Sequence, residues 1–148
     1  MRPDFTGTWK LIRGESDFGF LAPPEWRLDT ITHEDPQVRI RTRQKDANGD
    51  LTVDRDLTVG GEPVTIMIRG RERQIIAFWE DAVLVVETRS EVSGSARRIE
   101  DRCSVDAGGQ WLTIERLHEQ PGGAVRQRLR LRRQLPQEGK HQDDPTSI

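Results

Sequence analysis

Two runs near the end of the chain decide the fold. They are Trp111-Leu112-Thr113-Ile114-Glu115-Arg116-Leu117-His118-Glu119 and Ala124-Val125-Arg126-Gln127-Arg128-Leu129-Arg130-Leu131-Arg132-Arg133, separated by Gln120-Pro121-Gly122-Gly123. Both alternate with the period of two that marks a strand with one buried face. A turn over Gln120–Gly123 sets Glu119 opposite Ala124. Leu112, Ile114, Arg116 and His118 then share a face with Leu131, Leu129, Gln127 and Val125. Trp111, Thr113, Glu115 and Leu117 share the other face with Arg126, Arg128, Arg130 and Arg132. The first face holds the aliphatic pairs and is assigned to the interior. A slip of one residue would turn a whole apolar set toward water.

The same register extends backwards. A loop over Ala107–Gln110 sets Val105 beside Leu112, Cys103 beside Ile114 and Asp101 beside Arg116. Outside, it sets Arg102 beside Glu115 and Arg98 beside Glu119, each an opposite-charge pair worth about 0.2–1 kcal/mol. Burial and charge choose one alignment. Turn residues recur at short intervals along the rest of the chain: Glu34-Asp35-Pro36, Asp46-Ala47-Asn48-Gly49, Gly60-Gly61, Arg69-Gly70, Glu80-Asp81 and Ser93-Gly94-Ser95. Between them lie strand-like runs near 6–13, 25–33, 37–44, 50–59, 63–69, 72–79, 82–89 and 96–106. With the last two runs these make about ten strands, and the spacing predicts an all-β, antiparallel up-and-down β-barrel over residues 1–135. Gly14 to Pro24 has room for a single helical turn over the barrel mouth. Residues 136–148 are polar, carry two prolines and no apolar periodicity, and are expected to form a flexible tail.

Composition narrows the function classes. The chain has 148 residues, 33% hydrophobic and 32% charged, with a net charge of −2. So small an excess gives no bulk attraction to nucleic acid or to an anionic membrane. No apolar run approaches the roughly 20 residues that span a bilayer, and no export signal follows Met1, so a cytoplasmic location is the default expectation, although an exported protein trimmed of its leader would read the same. Cys103 is the single cysteine, which precludes an intrachain disulfide and a cysteine-rich zinc site.

The opening run Phe5-Thr6-Gly7-Thr8-Trp9-Lys10-Leu11 resembles the first strand of the calycin group, the lipocalins and fatty-acid-binding proteins. In that group a Gly-x-Trp closes the barrel bottom and a basic residue of the last strand packs over the indole. Gly7 and Trp9 match, and the resemblance implies Arg130 or Arg132 as the basic partner. Trp9 to Pro24, with Ser16-Asp17-Phe18-Gly19 before Pro23-Pro24, is also similar to bacterial lipocalin-like proteins. So are the Asp101-Arg102 and Leu112-Thr113-Ile114-Glu115-Arg116 strands. The resemblance implies a lipocalin-like barrel with an interior. It does not supply the arginine–tyrosine pair that holds a fatty-acid carboxylate, because this chain has no tyrosine. Nor does Gly14 to Pro24 leave room for a helix-pair lid, and the haem-binding relatives' opening glycine pattern is not reproduced after Trp9.

No constellation of side chains announces a reaction. His33, His118 and His141 share no metal-binding spacing, and no serine sits in a Gly-x-Ser-x-Gly elbow. Cys103 reads as a small buried hydrophobe. The arginine row on the last strand has acidic neighbours and no interleaved aromatic platform, so it reads as a solvated outer face. Asp101 and Arg116 face each other inside, which a buried charge requires. They are an internal salt bridge, an anchor for a ligand headgroup, or both. The leading expectation is non-catalytic binding of a small, mostly apolar ligand in the barrel. The expected contacts are Trp26, Leu28, Ile40, Val53, Arg116, His118 and Gln127. No cofactor or metal is expected. The rival is a packed barrel that serves as an interaction or scaffold domain, and an enzyme ranks third. The sequence leaves the oligomeric state open.

Overall fold

The computed structural model describes residues 2–135, and the expected tail lies outside them. Ten strands follow in order: β1 Gly7–Leu11, β2 Trp26–Glu34, β3 Gln37–Asp46, β4 Gly49–Thr58, β5 Val64–Ile68, β6 Arg71–Glu80, β7 Val83–Val92, β8 Ser95–Val105, β9 Trp111–Gln120 and β10 Gly123–Arg133. They form one antiparallel sheet in the spatial order β4-β3-β2-β1-β10-β9-β8-β7-β6-β5. Each strand pairs with its sequence neighbour, except that β1 pairs with β10 and no ladder joins β4 to β5. Hydrogen bonds fasten that gap: Gly60 N–H donates to the Ala77 carbonyl at 2.8 Å, and the Arg69 guanidinium donates to both carboxylate oxygens of Asp46 at 3.0 and 3.2 Å. The result is a nearly closed up-and-down barrel.

Turn chemistry sets the hairpins. Between β7 and β8, Ser93 and Gly94 both take positive φ (53° and 79°), and Arg69 and Gly70 do the same between β5 and β6 (49° and 77°). Paired left-handed residues twist with the flanking strands, whereas ordinary turns would splay them. The β8–β9–β10 register is the one that burial and charge select: Glu119 opposite Ala124, Asp101 opposite Arg116, Val105 opposite Leu112.

The inner face is layered. At one end Phe5, Trp9, Val38, Leu57, Leu112 and Leu131 are all at most 1% exposed. The Trp9 indole N–H donates to the Phe5 carbonyl (3.0 Å), and the Arg133 guanidinium lies 4.3 Å above the ring. The basic partner of Trp9 is therefore Arg133, not Arg130 or Arg132. Those two point outward by alternation and flank Trp111 at 4.6 and 5.2 Å. Trp111, which the register already sets on this face, thus supplies the outer arginine row with an aromatic partner. Gly7 has a steric role here: a Cβ at its position would collide with Arg133 Nη1.

The segment after β1 also departs from expectation. Its one turn of 3-10 helix, Arg13–Glu15, does not sit over the mouth. It is a bulge in a continued pairing with β10. Ile12 donates to the Arg130 carbonyl, and Asp17 exchanges backbone bonds with Arg128. Ser16 Oγ accepts the Arg130 N–H across the bulge. No helix of the described residues is long and apolar enough to cross a membrane.

Candidate functional site

Above the packed end lies a layer of charge. On β2, Arg27 and Asp29 both point inward, and Arg27 donates from Nε (3.1 Å) and Nη2 (2.9 Å) to the two carboxylate oxygens of Asp29. Their side chains are 6% and 2% exposed. Across the barrel, Arg116 of β9 grips Asp101 of β8 in the same forked way, at 2.8 and 3.0 Å. Forked pairs are the geometry in which a buried ion pair best offsets its loss of water. Burial alone would raise the pKa of Asp101. The charge and hydrogen bonds of Arg116, with Arg27 and Arg55 nearby, outweigh it and hold the carboxyl below its ordinary value.

Arg55 is the odd member. It enters the same layer from β4 and donates to Thr42 Oγ1 at 2.9 Å. It has no carboxylate among the described ion pairs, and its Nε–H is closed off from solvent with no acceptor among the described residues. Burial lowers its pKa by more than the charges of Asp29 and Asp101 restore. Three guanidiniums thus share two carboxylates, which leaves one net positive charge in this layer. The Cys103 thiol faces this layer, and burial, with Asp101 second, pushes it up to about 12. A thiol so held is inert at neutral pH.

Two spaces border the layer. Beneath it, among Arg27, Asp29, Arg55 and Asp101, lies a cavity of about 20 Å³, room for roughly one water and no more. Above it, the inner-face residues Leu51, Val53, Ile66, Ile68, Thr88 and Ile99 are only half-buried, so this end has apolar walls open to solvent. His118 stands on the same wall. Burial, then the charges of Arg116, Arg97 and Arg73, lower its pKa against the pull of Asp101. A concavity of about 1150 Å³ at the β7–β8 end touches Ser90, Arg97 and Gln120. Its remaining walls include the outer-face residues Arg89, Arg98 and Glu119.

The expected contacts divide. Arg116, His118 and Gln127 are inward, with Gln127 donating to the Phe18 carbonyl at 3.0 Å. Ile40 is inward, buried level with Arg55 beside the small cavity, while Val53 lines the open end. Trp26 and Leu28 face outward and cannot line the interior. Alternation along β2 gives the inner face to Arg27, Asp29 and Ile31, all buried. The sequence reading put the more apolar set inside, and the forked Arg27–Asp29 pair reverses that choice. Arg27, Asp29 and Arg55 are the site residues it missed. An arginine two residues before an aspartate on a strand was the available signal, since such a pair shares a face. On the outer face, Arg98 joins Glu119 as expected. Arg102 instead bonds Glu80 at 2.8 Å, and Glu115 bonds Arg128 at 3.2 Å.

Ten antiparallel strands in sequence order, one unpaired gap and a Gly-x-Trp plug beneath a basic residue define a calycin-like barrel. Solved structures of that shape agree. A secretory abundant heat soluble protein of Ramazzottius varieornatus superposes with a TM-score of 0.64 at 12% identity, over 87% of this chain and 94% of its own. The zebrafish ileal bile acid-binding protein complexed with cholic acid gives 0.60 at 12% identity, over 87% and 98%. Human cRBP IV gives 0.57 at 16% identity, over 89% and 99%. No family model and no curated protein matches the sequence.

Proposed function

We propose that this barrel binds, without catalysis, a single small amphipathic molecule at its open end. The apolar body lies against Leu51, Val53, Ile66 and Ile99, and an acidic group points down toward Arg55 and Arg116. The observation that carries this reading is Arg55. A buried guanidinium with no carboxylate costs free energy that an anionic headgroup would recover, and it sits at the floor of a half-exposed apolar wall. The likeness to a bile-acid-binding barrel is consistent with it. The roughly 20 Å³ beneath the charges favours the rival reading, a packed barrel without a ligand, only if the open end is also left unfilled.

Isothermal titration with dodecanoate, dodecanol and dodecylammonium separates the two. Dodecanoate should bind at least about tenfold more tightly than dodecanol, since a charge-assisted hydrogen bond contributes roughly 1.5–3 kcal/mol. Dodecylammonium should not bind. Equal affinity for all three would mean that Arg55 plays no part. Silence from all three would leave the scaffold reading standing.

A further inference from the structure

Resting on that reading, we infer that the interior holds a second anion position at its rim, between Arg73 and Arg97, so that the preferred ligand is acidic at both ends of an apolar chain. The register assembles the position. Arg97 of β8 faces Ser90 of β7, and the alignment that pairs Gln74 with Arg89 carries Arg73 of β6 to the level of Ser90. On the other side Arg98 pairs with Glu119, which brings Arg97 level with Gln120. One inner-face row therefore reads Arg73, Ser90, Arg97, Gln120. Adjacent strands lie about 4.8 Å apart, so the two arginine backbones stand roughly 10 Å from each other with a short serine between them. Two long cationic side chains over a short hydroxyl form a notch for an anion.

The hydrogen bonds of the row are unfinished. Arg97 Nη1 donates to Gln120 Oε1 at 3.3 Å. The Nε–H groups of both Arg73 and Arg97 are closed off from solvent and have no acceptor among the described residues. The carboxylates at this level are engaged or turned away. Glu119 bonds Arg98 and Asp46 bonds Arg69, while Glu72 and Glu91 alternate onto the outer face, border the same concavity as Ser90 and Arg97, and form no ion pair with Arg73 or Arg97 among the described residues. The inner face here offers Ile66 and Leu51 instead. Arg73 and Arg97 both act on His118, so their charge reaches the open chamber.

The separation of the two anion positions fixes the ligand's length. Arg116 and Gln120 are four residues apart on β9, which places the rim about 13 Å above the floor. Dodecanedioate matches that span with a carboxylate at each end, and dodecanoate carries only one. A ligand with no rim contact gains nothing from a second carboxylate and must still keep it hydrated, so without the notch the dianion should bind more weakly.

The test is calorimetric titration of the full chain and of the Arg73→Gln/Arg97→Gln double variant with both acids. The wild type should bind dodecanedioate about tenfold or more tightly than dodecanoate. The double variant should lose that preference, weakening for dodecanedioate by about tenfold or more beyond any loss for dodecanoate, whose retained binding also reports an intact fold. Dodecanoate binding without any preference for the dianion would overturn the rim position and leave the floor reading intact. A double variant that weakens both acids equally would likewise overturn it. No binding of either acid to the wild type would overturn both.

Discussion

Arg116 and Arg55 lie in one layer with opposite expected consequences for stability. Arg116 has a forked partner in Asp101, so Arg116→Ala strands a buried carboxylate and should cost about 3–5 kcal/mol. Arg55 has only a hydroxyl, so Arg55→Met removes an unpaired charge and fills its space with apolar atoms. We expect that variant to be as stable as the wild type or more so, by up to about 2 kcal/mol, and to lose the preference for dodecanoate over dodecanol. Urea unfolding together with the headgroup titration decides the matter. A loss above about 1 kcal/mol on Arg55→Met would make the residue a structural strut and remove the central support for an anionic ligand. Trp9 gives a check at the packed end. It is fully buried, bonded through its indole N–H and covered by Arg133, so Trp9→Ala should cost about 3–5 kcal/mol.

At the level of strands, the outer face of β8 and β9 separates charge that matters from charge that does not. Arg98 bonds Glu87, Glu100 and Glu119 at once, and Glu87 is itself buried on that face. Glu115 shares one half-exposed bond with Arg128. Glu115→Ala should therefore shift stability by less than about 1 kcal/mol, while Arg98→Ala, which leaves Glu87 with the exposed Arg89 as its remaining partner, should cost clearly more. Thermal melts of the two variants suffice, and equal shifts would contradict the network. The strands themselves were legible because alternation, turn residues and cross-strand charge all pointed to one register in β8–β10. On β2 they conflicted. Trp26 and Leu28 are the more apolar set, and hydrophobicity alone sends them inward. The Arg27–Asp29 fork overrides it because two charges that satisfy each other can occupy a core that neither could enter alone. Arg55 was illegible for a different reason: its surroundings come from β2, β8 and β9, and no local pattern on β4 announces them. The partner of Trp9 was misplaced by a strand position, since both Arg130 and Arg132 alternate onto the outer face while Arg133 falls inside.

The whole barrel carries its ionisable groups in a way that predicts how acid acts on it. Asp101 and Glu87 have folded pKa values below their ordinary ones, in each case because arginines overcome the effect of burial. A depressed carboxyl stabilises the fold at every pH above its unfolded value, near 4, and that contribution is lost as pH falls through the folded value. His118 is depressed too, by burial and by Arg116, Arg97 and Arg73. The unfolded chain takes up its proton near pH 6.5 while the folded chain still refuses it, so stability begins to fall there. Unfolding free energy against pH should thus decline in two stages on acidification. A shallow one starts near 6.5 and belongs to His118, and a steep one starts near 4.5 and belongs to the buried carboxylates. His118→Gln should abolish the first and leave the second. Asp101→Asn should lower stability at pH 7, and its curve should converge with that of the wild type in strong acid, where Asp101 is neutral in both. Saturating dodecanoate should reverse the first stage, because a carboxylate held on the Arg116 side of the chamber favours the imidazolium and turns proton refusal into proton uptake. Urea titrations from pH 3 to 8, with and without the acid, read all of these at once. A first stage unchanged by dodecanoate that binds would place its headgroup away from His118, and hence away from the layer that holds Arg55 and Arg116.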